Sequence, residues 1–340
     1  MLAFASVTEA IASSSGRGNS DTPLKALIVS SPTFSHEAVI KEAADNQLAI
    51  FTEKPVAETA DNILDLFAYT EKAGVLLCCS FQRRFDPSYV AATEAVHAGR
   101  IGTPVMSHMF FADHPLPPRQ FMLTGGNIFM DLSAHDVDYI MHTLQDHVVS
   151  VYATGTSSDA ELKAAGVYDN ATMVMNFSKG RSHKKKMLGR GCLGYISSVL
   201  DYDSSQFYLP PHLFFPKGAT VTLFMSRSAV YGYDQRCQVF GSAGLVSVEN
   251  VHDNTAVVYN ADGSHKARLQ HSFPERFHDA FALELDAFAD VLEGSRVWPI
   301  TGHQCINVQR ITDAACLSAE TGNVVPVISL STVQYDQHRL

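Results

Sequence analysis

Basic residues are in short supply: 25 lysines and arginines stand against 35 aspartates and glutamates in 340 residues, a formal net charge of −10. A surface of that sign repels phosphate, so nucleic acid is not expected as a partner. Cysteine is scarce and scattered. The six, at 78, 79, 192, 237, 305 and 316, form no C-x-x-C pair. Neither a zinc site nor a disulfide framework is expected, and reduced thiols point to a cytoplasmic protein. No apolar run approaches the roughly 18–20 residues that a membrane span requires. Residues 1–15 lack a basic start, and Glu9 interrupts their apolar stretch, so no secretory signal is expected. With 46% hydrophobic and 18% charged residues, the composition is that of a soluble globular protein. At this length, two domains are the natural expectation.

The chemistry is densest in Gly125-Gly126-Asn127-Ile128-Phe129-Met130-Asp131-Leu132-Ser133-Ala134-His135-Asp136-Val137-Asp138. Apolar residues recur there at helical spacing through Ile128, Met130, Leu132, Val137 and Ile140, which predicts one helix after the glycine pair. On such a helix Asp131 and His135 share a face, with Asp138 a turn further along. A carboxylate beside an imidazole suits a base that takes a proton from a hydroxyl. An ordinary surface ion pair has the same spacing.

Short apolar runs alternate with helical patterns in the first half. Strands are predicted at Ala26–Ser30, Leu48–Phe51 and Val75–Cys79, with helices over 36–47, 58–72 and 87–98. That alternation is the mark of α/β architecture with a parallel sheet. Chemistry in this class collects at the carboxyl ends of the strands. There the chain places Ser31-Pro32-Thr33, Glu53-Lys54-Pro55 and Gln82-Arg83-Arg84-Phe85. Alone, Lys54 is equally a solvated surface lysine. Strands dominate the second half (148–154, 172–177, 220–226, 238–240, 245–248 and 256–259), before helices near 275–292 and 303–321. The expected division is a βα half over 1–125 and a strand-rich half over 126–330.

In order along the chain, Ser31-Pro32-Thr33 with His36, Glu53-Lys54-Pro55, Gln82-Arg83-Arg84-Phe85-Asp86, Gly125-Gly126 with Asp131 and His135, and Tyr231-Gly232-Tyr233-Asp234 resemble the glucose–fructose oxidoreductase and inositol dehydrogenase (Gfo/Idh/MocA) family. The final tetrapeptide leans toward its myo-inositol 2-dehydrogenase branch. The resemblance implies an NAD- or NADP-dependent oxidation of a polyol or sugar hydroxyl to a ketone. It implies that Lys54 holds the reacting hydroxyl, that His135 takes its proton, and that Asp131 keeps substrate and histidine in register. It implies a coenzyme site made of Ser31, Pro32, Thr33, His36, Glu53, Lys54, Pro55 and Gln82, with Arg83 and Tyr233 reaching the polyol. For Tyr233, an aromatic in a strand of the second domain is the equal alternative. No metal is implied, because the lysine supplies the positive charge. The resemblance further implies an incomplete dinucleotide-binding (Rossmann-like) domain over 1–125 and a substrate and oligomerisation domain over 126–330, the latter on a large, mainly antiparallel open sheet through which a homodimer or tetramer forms.

Two features depart from the family pattern. No strand, G-x-G-x-x-G turn and helix opens the chain; Gly16-Arg17-Gly18-Asn19-Ser20-Asp21 has no strand before it and an aspartate for the third glycine. Entry to the fold at the family's fourth strand is expected to leave Ala26–Val29 as an open edge, partly covered by residues 1–13, and to weaken coenzyme binding. Second, residues 181–218 fit no element and interrupt what is otherwise a hairpin. They are expected to be translated non-coding sequence or a gene-model error, with a lineage-specific binding loop as the alternative. Three functions follow: the polyol dehydrogenase, a truncated non-enzymatic relative that acts by oligomerising, and a dehydrogenase of another sugar or dihydrodiol.

Overall fold

The computed structural model describes residues 6–15, 24–124, 127–178 and 218–327. The glycine pair 125–126, the Gly16–Asp21 stretch, Cys192 and residues 181–217 lie outside the described residues.

The first half folds as its alternation predicts. In order come α1 (Val7–Ser15), β1 (Ala26–Val29), α2 (Thr33–Asp45), β2 (Ala49–Thr52), α3 (Ala60–Lys72), β3 (Leu77–Cys79), a 3₁₀ turn (Gln82–Arg84) and α4 (Pro87–His97). The three strands are parallel in the order β1-β2-β3. Helix starts follow local chemistry. Thr59 caps α3 by accepting the Asn62 N–H, and Asp86 caps α4 just before a proline, whose missing N–H costs nothing at that position. Among the described residues β1 is an edge strand, and Ile28 on it is 54% exposed. Helix α1 is tied to α2, with the Thr8 N–H and hydroxyl donating to Glu42 Oε1 at 3.0 Å each.

Beyond these come β4 (Pro104–Ala112), α5 (Arg119–Thr124), α6 (Ile128–Asp131), α7 (Ser133–Leu144), β5 (Val148–Thr156), α8 (Ala160–Ala164), β6 (Asn170–Phe177) and β7 (Thr220–Ser226). The chain continues through β8 (Asp234–Gly241), β9 (Gly244–Val248), β10 (Val257–Asn260), β11 (Gly263–Lys266), α9 (Phe273–Arg276), α10 (His278–Leu292), α11 (Gly302–Thr321) and β12 (Val325–Pro326). Seven strands form one sheet in the order β12-β5-β6-β7-β4-β8-β9. Among the described residues only the β4–β7 pair of this sheet is parallel; the other neighbours run antiparallel. Its inner face, with Val151, Met173, Val221, Met225 and Cys237, shares a core with Val137 and Ile140 of α7 and Ile311 and Ala315 of α11.

The halves interleave more than a boundary at residue 125 allows. Strand β4 precedes that position, yet it sits inside the large sheet between β7 and β8. From the other end, Trp298 and α10 return to the small sheet. Trp298 donates its indole N–H to Cys79 O at 3.2 Å, and its ring packs edge-on to Phe51 at 5.8 Å. Both corrections have one cause: these pairings join segments more than a hundred residues apart, and local periodicity carries no trace of them. Among the described residues, no helix is long and apolar enough to cross a membrane.

Candidate active site

Lys54 leaves the carboxyl end of β2 and reaches the helix pair α6–α7. Its ammonium donates to Asp131 O at 2.7 Å and to Asp131 Oδ1 at 3.1 Å. The first contact interrupts the expected single helix. In a continuous helix the Asp131 carbonyl would accept the N–H of His135; here α6 ends at Asp131 and α7 starts at Ser133. Arg227, the residue after β7, holds Asp131 Oδ2, and its side chain is 3% exposed. Burial alone would raise the Asp131 carboxyl, but Lys54 and Arg227 outweigh it and bring it down to about 2. Asp131 is therefore a carboxylate shared by two cations from two different sheets.

His135 is half-buried on the first turn of α7. The Phe81 ring stands edge-on to its imidazole, with centroids 6.3 Å apart. The expected Asp131–His135 pairing does not form, and His135 Nδ1 has no hydrogen-bond partner among the described residues. Burial, followed by the positive charges of Lys54 and Arg83, holds the imidazole well below its ordinary value. At neutral pH His135 is thus an uncharged ring, able to accept a proton. The cavity that Lys54 shares with Phe81, Met130 and Ala134 is about 10 Å³, no larger than a water molecule needs. On the other side of Lys54, the Asp131 side chain keeps 28% exposure.

Because β1, β2 and β3 are parallel, their carboxyl ends lie together, and this brings Ser31-Pro32-Thr33, Glu53-Lys54-Pro55 and Gln82 to one end of the sheet. His36 locks two of these loops. It is 1% exposed, with Nδ1 3.0 Å from Pro55 O and Nε2 2.7 Å from Ser31 O. It braces the loops from inside, while Ser31 and Pro32 lie exposed. Burial raises the Glu53 carboxyl against the pull of Lys54. Gln82 is 5% exposed, and its Oε1 has no partner.

Arg83 and Tyr233 lie deeper than residues that reach into an open cleft. Arg83 is 1% exposed, ion-paired with Asp136 and donating to Gln235. Tyr233 is 5% exposed, its ring edge-on to Phe111 and Phe277. A guanidinium at that depth requires a carboxylate, and Asp136 supplies it.

Sequence reasoning missed two members of this cluster. Arg227 follows a strand as a lone basic residue, with no spacing to single it out. Asp113, at the end of β4, is pushed up to about 6 by burial, against the opposing charge of Arg227. Its strand was not anticipated, so neither was its position.

Comparison with known proteins places the chain in a family. Residues 6–81 match the NAD-binding Rossmann fold of the oxidoreductase family, 89–184 the GFO/IDH/MocA C-terminal domain, and 211–327 the oxidoreductase family C-terminal alpha/beta domain. The chain belongs to the Gfo/Idh/MocA oxidoreductase family. It is similar to the uncharacterized oxidoreductase YrbE of Bacillus subtilis, 32% identical over 311 residues, or 90% of this chain and 79% of that protein. The myo-inositol 2-dehydrogenase of Thermotoga maritima is 30% identical over 269 residues, covering 79% of this chain and 69% of the relative. Among solved structures, a myo-inositol dehydrogenase from Corynebacterium glutamicum has the same fold at TM-score 0.74 and 22% identity, over 91% of this chain and 82% of that one. A scyllo-inositol dehydrogenase from Lactobacillus casei, solved with bound NAD(H) and scyllo-inositol, matches at TM-score 0.72 and 22% identity, over 91% and 81%.

Proposed function

We propose that this family member oxidises a secondary hydroxyl of a polyol, of the inositol class, to a ketone, with a nicotinamide coenzyme as hydride acceptor. The observation that carries the reading is the meeting of Lys54 with Asp131 at 2.7 and 3.1 Å, one helical turn before His135. Lys54 arrives from the small sheet, and Arg227 reaches Asp131 from the large one. In the reaction, Lys54 donates a hydrogen bond to the substrate oxygen and stabilises the developing alkoxide. The neutral His135 takes the hydroxyl proton. Asp131, held by Lys54 and Arg227, fixes the ammonium and limits its swing. A bound nicotinamide supplies the acceptor for the hydride that leaves the same carbon.

The residues at the strand ends fit the nicotinamide end of such a coenzyme. Gln82 Oε1 is a buried acceptor without a donor among the described residues, which a carboxamide N–H would suit, and Ser31, Pro32, Thr33, Glu53, Lys54 and Pro55 follow strands at the same end of the sheet. Among the described residues no glycine-rich turn joins a strand to a helix as a pyrophosphate cradle, so we expect weak binding. Fluorescence titration with NADH and with NADPH tests this and sets the preference between them; a micromolar dissociation constant overturns the weak-binding expectation. Reduction of NAD in the presence of myo-inositol, scyllo-inositol or a dihydrodiol tests the reaction and ranks its substrates. No reduction with any of them, at saturating coenzyme, removes the dehydrogenase reading. A cytoplasmic setting accords with free, buried thiols at Cys78, Cys79, Cys237 and Cys305.

A specific observation also favours self-association. On the outer face of the large sheet, Phe110 and Phe224 stack at 4.5 Å, with the Arg236 guanidinium 4.6 Å from the Phe110 ring centre. Met106 and Tyr152 are exposed as well, at 43% and 41%. Exposed large apolar side chains gathered on one sheet face support an interface, and we infer a homo-oligomer built on it. Phe224→Asp should convert the assembly to monomer in sedimentation velocity, whereas a monomeric wild type overturns the inference.

A further inference from the structure

Three consecutive residues, the last of β3 and the two that follow it, are gripped from farther along the chain. Trp298 donates to Cys79 O at 3.2 Å. The Ser80 hydroxyl and the Phe81 N–H both donate to the Glu284 carboxyl, at 2.9 and 3.0 Å. Glu284 lies on the same stripe of α10 as Ala280, Ala287 and Phe288, and is 0% exposed. A carboxyl in an apolar stripe is destabilising unless its oxygens are satisfied; here each oxygen has a donor. The segment it holds bears directly on the site, because Phe81 carries the ring that stands edge-on to His135. The turn that follows ends in Arg84, whose Nε donates to Asp138 Oδ2 at 2.8 Å, close to one turn beyond His135.

We propose that Glu284 is a positioning residue for His135: it anchors Phe81, and the Phe81 ring fixes the plane of the imidazole. The idea rests on the dehydrogenase reading for its purpose, and on these contacts alone for its geometry. The groups that face the carboxyl are Ser80, the Phe81 N–H and the Cys78 thiol, with Glu53 and Asp138 acting through their charge. Burial first, then those two negative charges, pushes Glu284 up to about 8.

Three variants of the full chain test the proposal. Glu284→Leu removes both acceptors. Glu284→Gln keeps an oxygen for the Phe81 N–H and presents an amide donor to the Ser80 oxygen. Ser80→Ala removes one contact only. In the polyol-dependent reduction of NAD, Glu284→Leu should lower kcat roughly ten- to a hundred-fold, the scale of loss from a misplaced catalytic group, with the KM for coenzyme nearly unchanged. Glu284→Gln should restore kcat. The ring ¹⁵N signals of His135, assigned by their disappearance in His135→Gln, should move in Glu284→Leu, move less in Ser80→Ala, and stay in place in Glu284→Gln. This second readout needs no turnover, so an inactive wild type removes the dehydrogenase reading while the positioning role is still judged. If Glu284→Leu does not fold, the Ser80→Ala spectrum decides. Unmoved His135 signals in the folded variants, or an equal loss of kcat in Gln and Leu, overturn the proposal.

Discussion

Asp131 and His135 lie four residues apart, yet the carboxylate turns away from the ring. Its oxygens go to Lys54 and Arg227, and His135 Nδ1 is left without a partner. The division separates two tasks that the D-x-x-x-H spacing appeared to merge. Asp131 balances two cations, Lys54 and Arg227. His135, with no carboxylate to stabilise its charged form, stays neutral. The first prediction follows: Lys54→Ala and His135→Ala each lower kcat by about a hundred- to ten-thousand-fold, the usual contribution of a positioned acid or base, while the folded state survives. Steady-state kinetics beside thermal melts check this, and unchanged turnover in either variant removes that residue from the mechanism.

Arg227 should show itself through acid stability. The Asp131 carboxyl lies at about 2 in the fold, below its ordinary 3.8. A depressed carboxyl contributes stability that is complete above the unfolded value and is lost as pH falls through the folded one. Arg227→Gln removes one of the two cations responsible, so the folded value rises toward 3.8 and the acid-unfolding midpoint moves to higher pH. Circular dichroism followed from pH 5 to pH 2 measures the midpoint. An unmoved midpoint would mean that Lys54 alone stabilises the carboxylate.

Glu284 predicts the opposite slope. Burial raises it from 4.5 to about 8, so between those values the folded chain holds a proton that the unfolded chain has released. Its contribution is complete below pH 4.5 and is lost as pH rises through 8. The melting temperature of the wild type should therefore fall across that window more steeply than that of Glu284→Gln, which has no proton to lose. Parallel curves would count against a buried, neutral Glu284.

Legibility in the sequence followed the range of the interaction. Ala26–Ser30 and Leu48–Phe51 read as strands because short apolar runs leave a local mark, but only the second is covered, since Ile28 on the first is 54% exposed. Lys54 could be placed at the carboxyl end of the small sheet because parallel strand ends collect together whatever their sequence. Strand β4 was illegible for a physical reason. His108, Met109, Phe110 and Phe111 mix polar and apolar residues on a strand whose outer face stacks Phe110 on Phe224, so no clean alternation appears. Its partners in β7 and β8 lie more than a hundred residues away. Arg227 was hidden by the same distance. Glu284 left a faint signal, an acid on the stripe of Ala280, Ala287 and Phe288, where a helix normally carries an apolar residue.

The interruption between β6 and β7 yields the last prediction. The two strands pair in antiparallel register up to Asn176↔Thr220, and the Phe177 N–H donates to Ala219 O at 3.0 Å. The chain therefore leaves one strand and re-enters the next at adjacent points. Deleting 181–218 would join Gly180 to Ala219 and leave Ser178-Lys179-Gly180 as a three-residue connection, a common hairpin length with glycine where a positive φ is needed. Closing so short a loop should cost roughly 2 kcal/mol less entropy than closing the long one, at about 0.6 kcal/mol per doubling of length. The deletion variant should melt at the same temperature or higher and keep its turnover, because Lys54, Asp131, His135 and Arg227 all lie outside the removed residues. Soluble, equally active deletion protein would favour a segment foreign to the fold. Loss of turnover with an intact melt would instead favour a binding loop, and sequencing transcripts across codons 175–222 would then be expected to find the segment uniformly included.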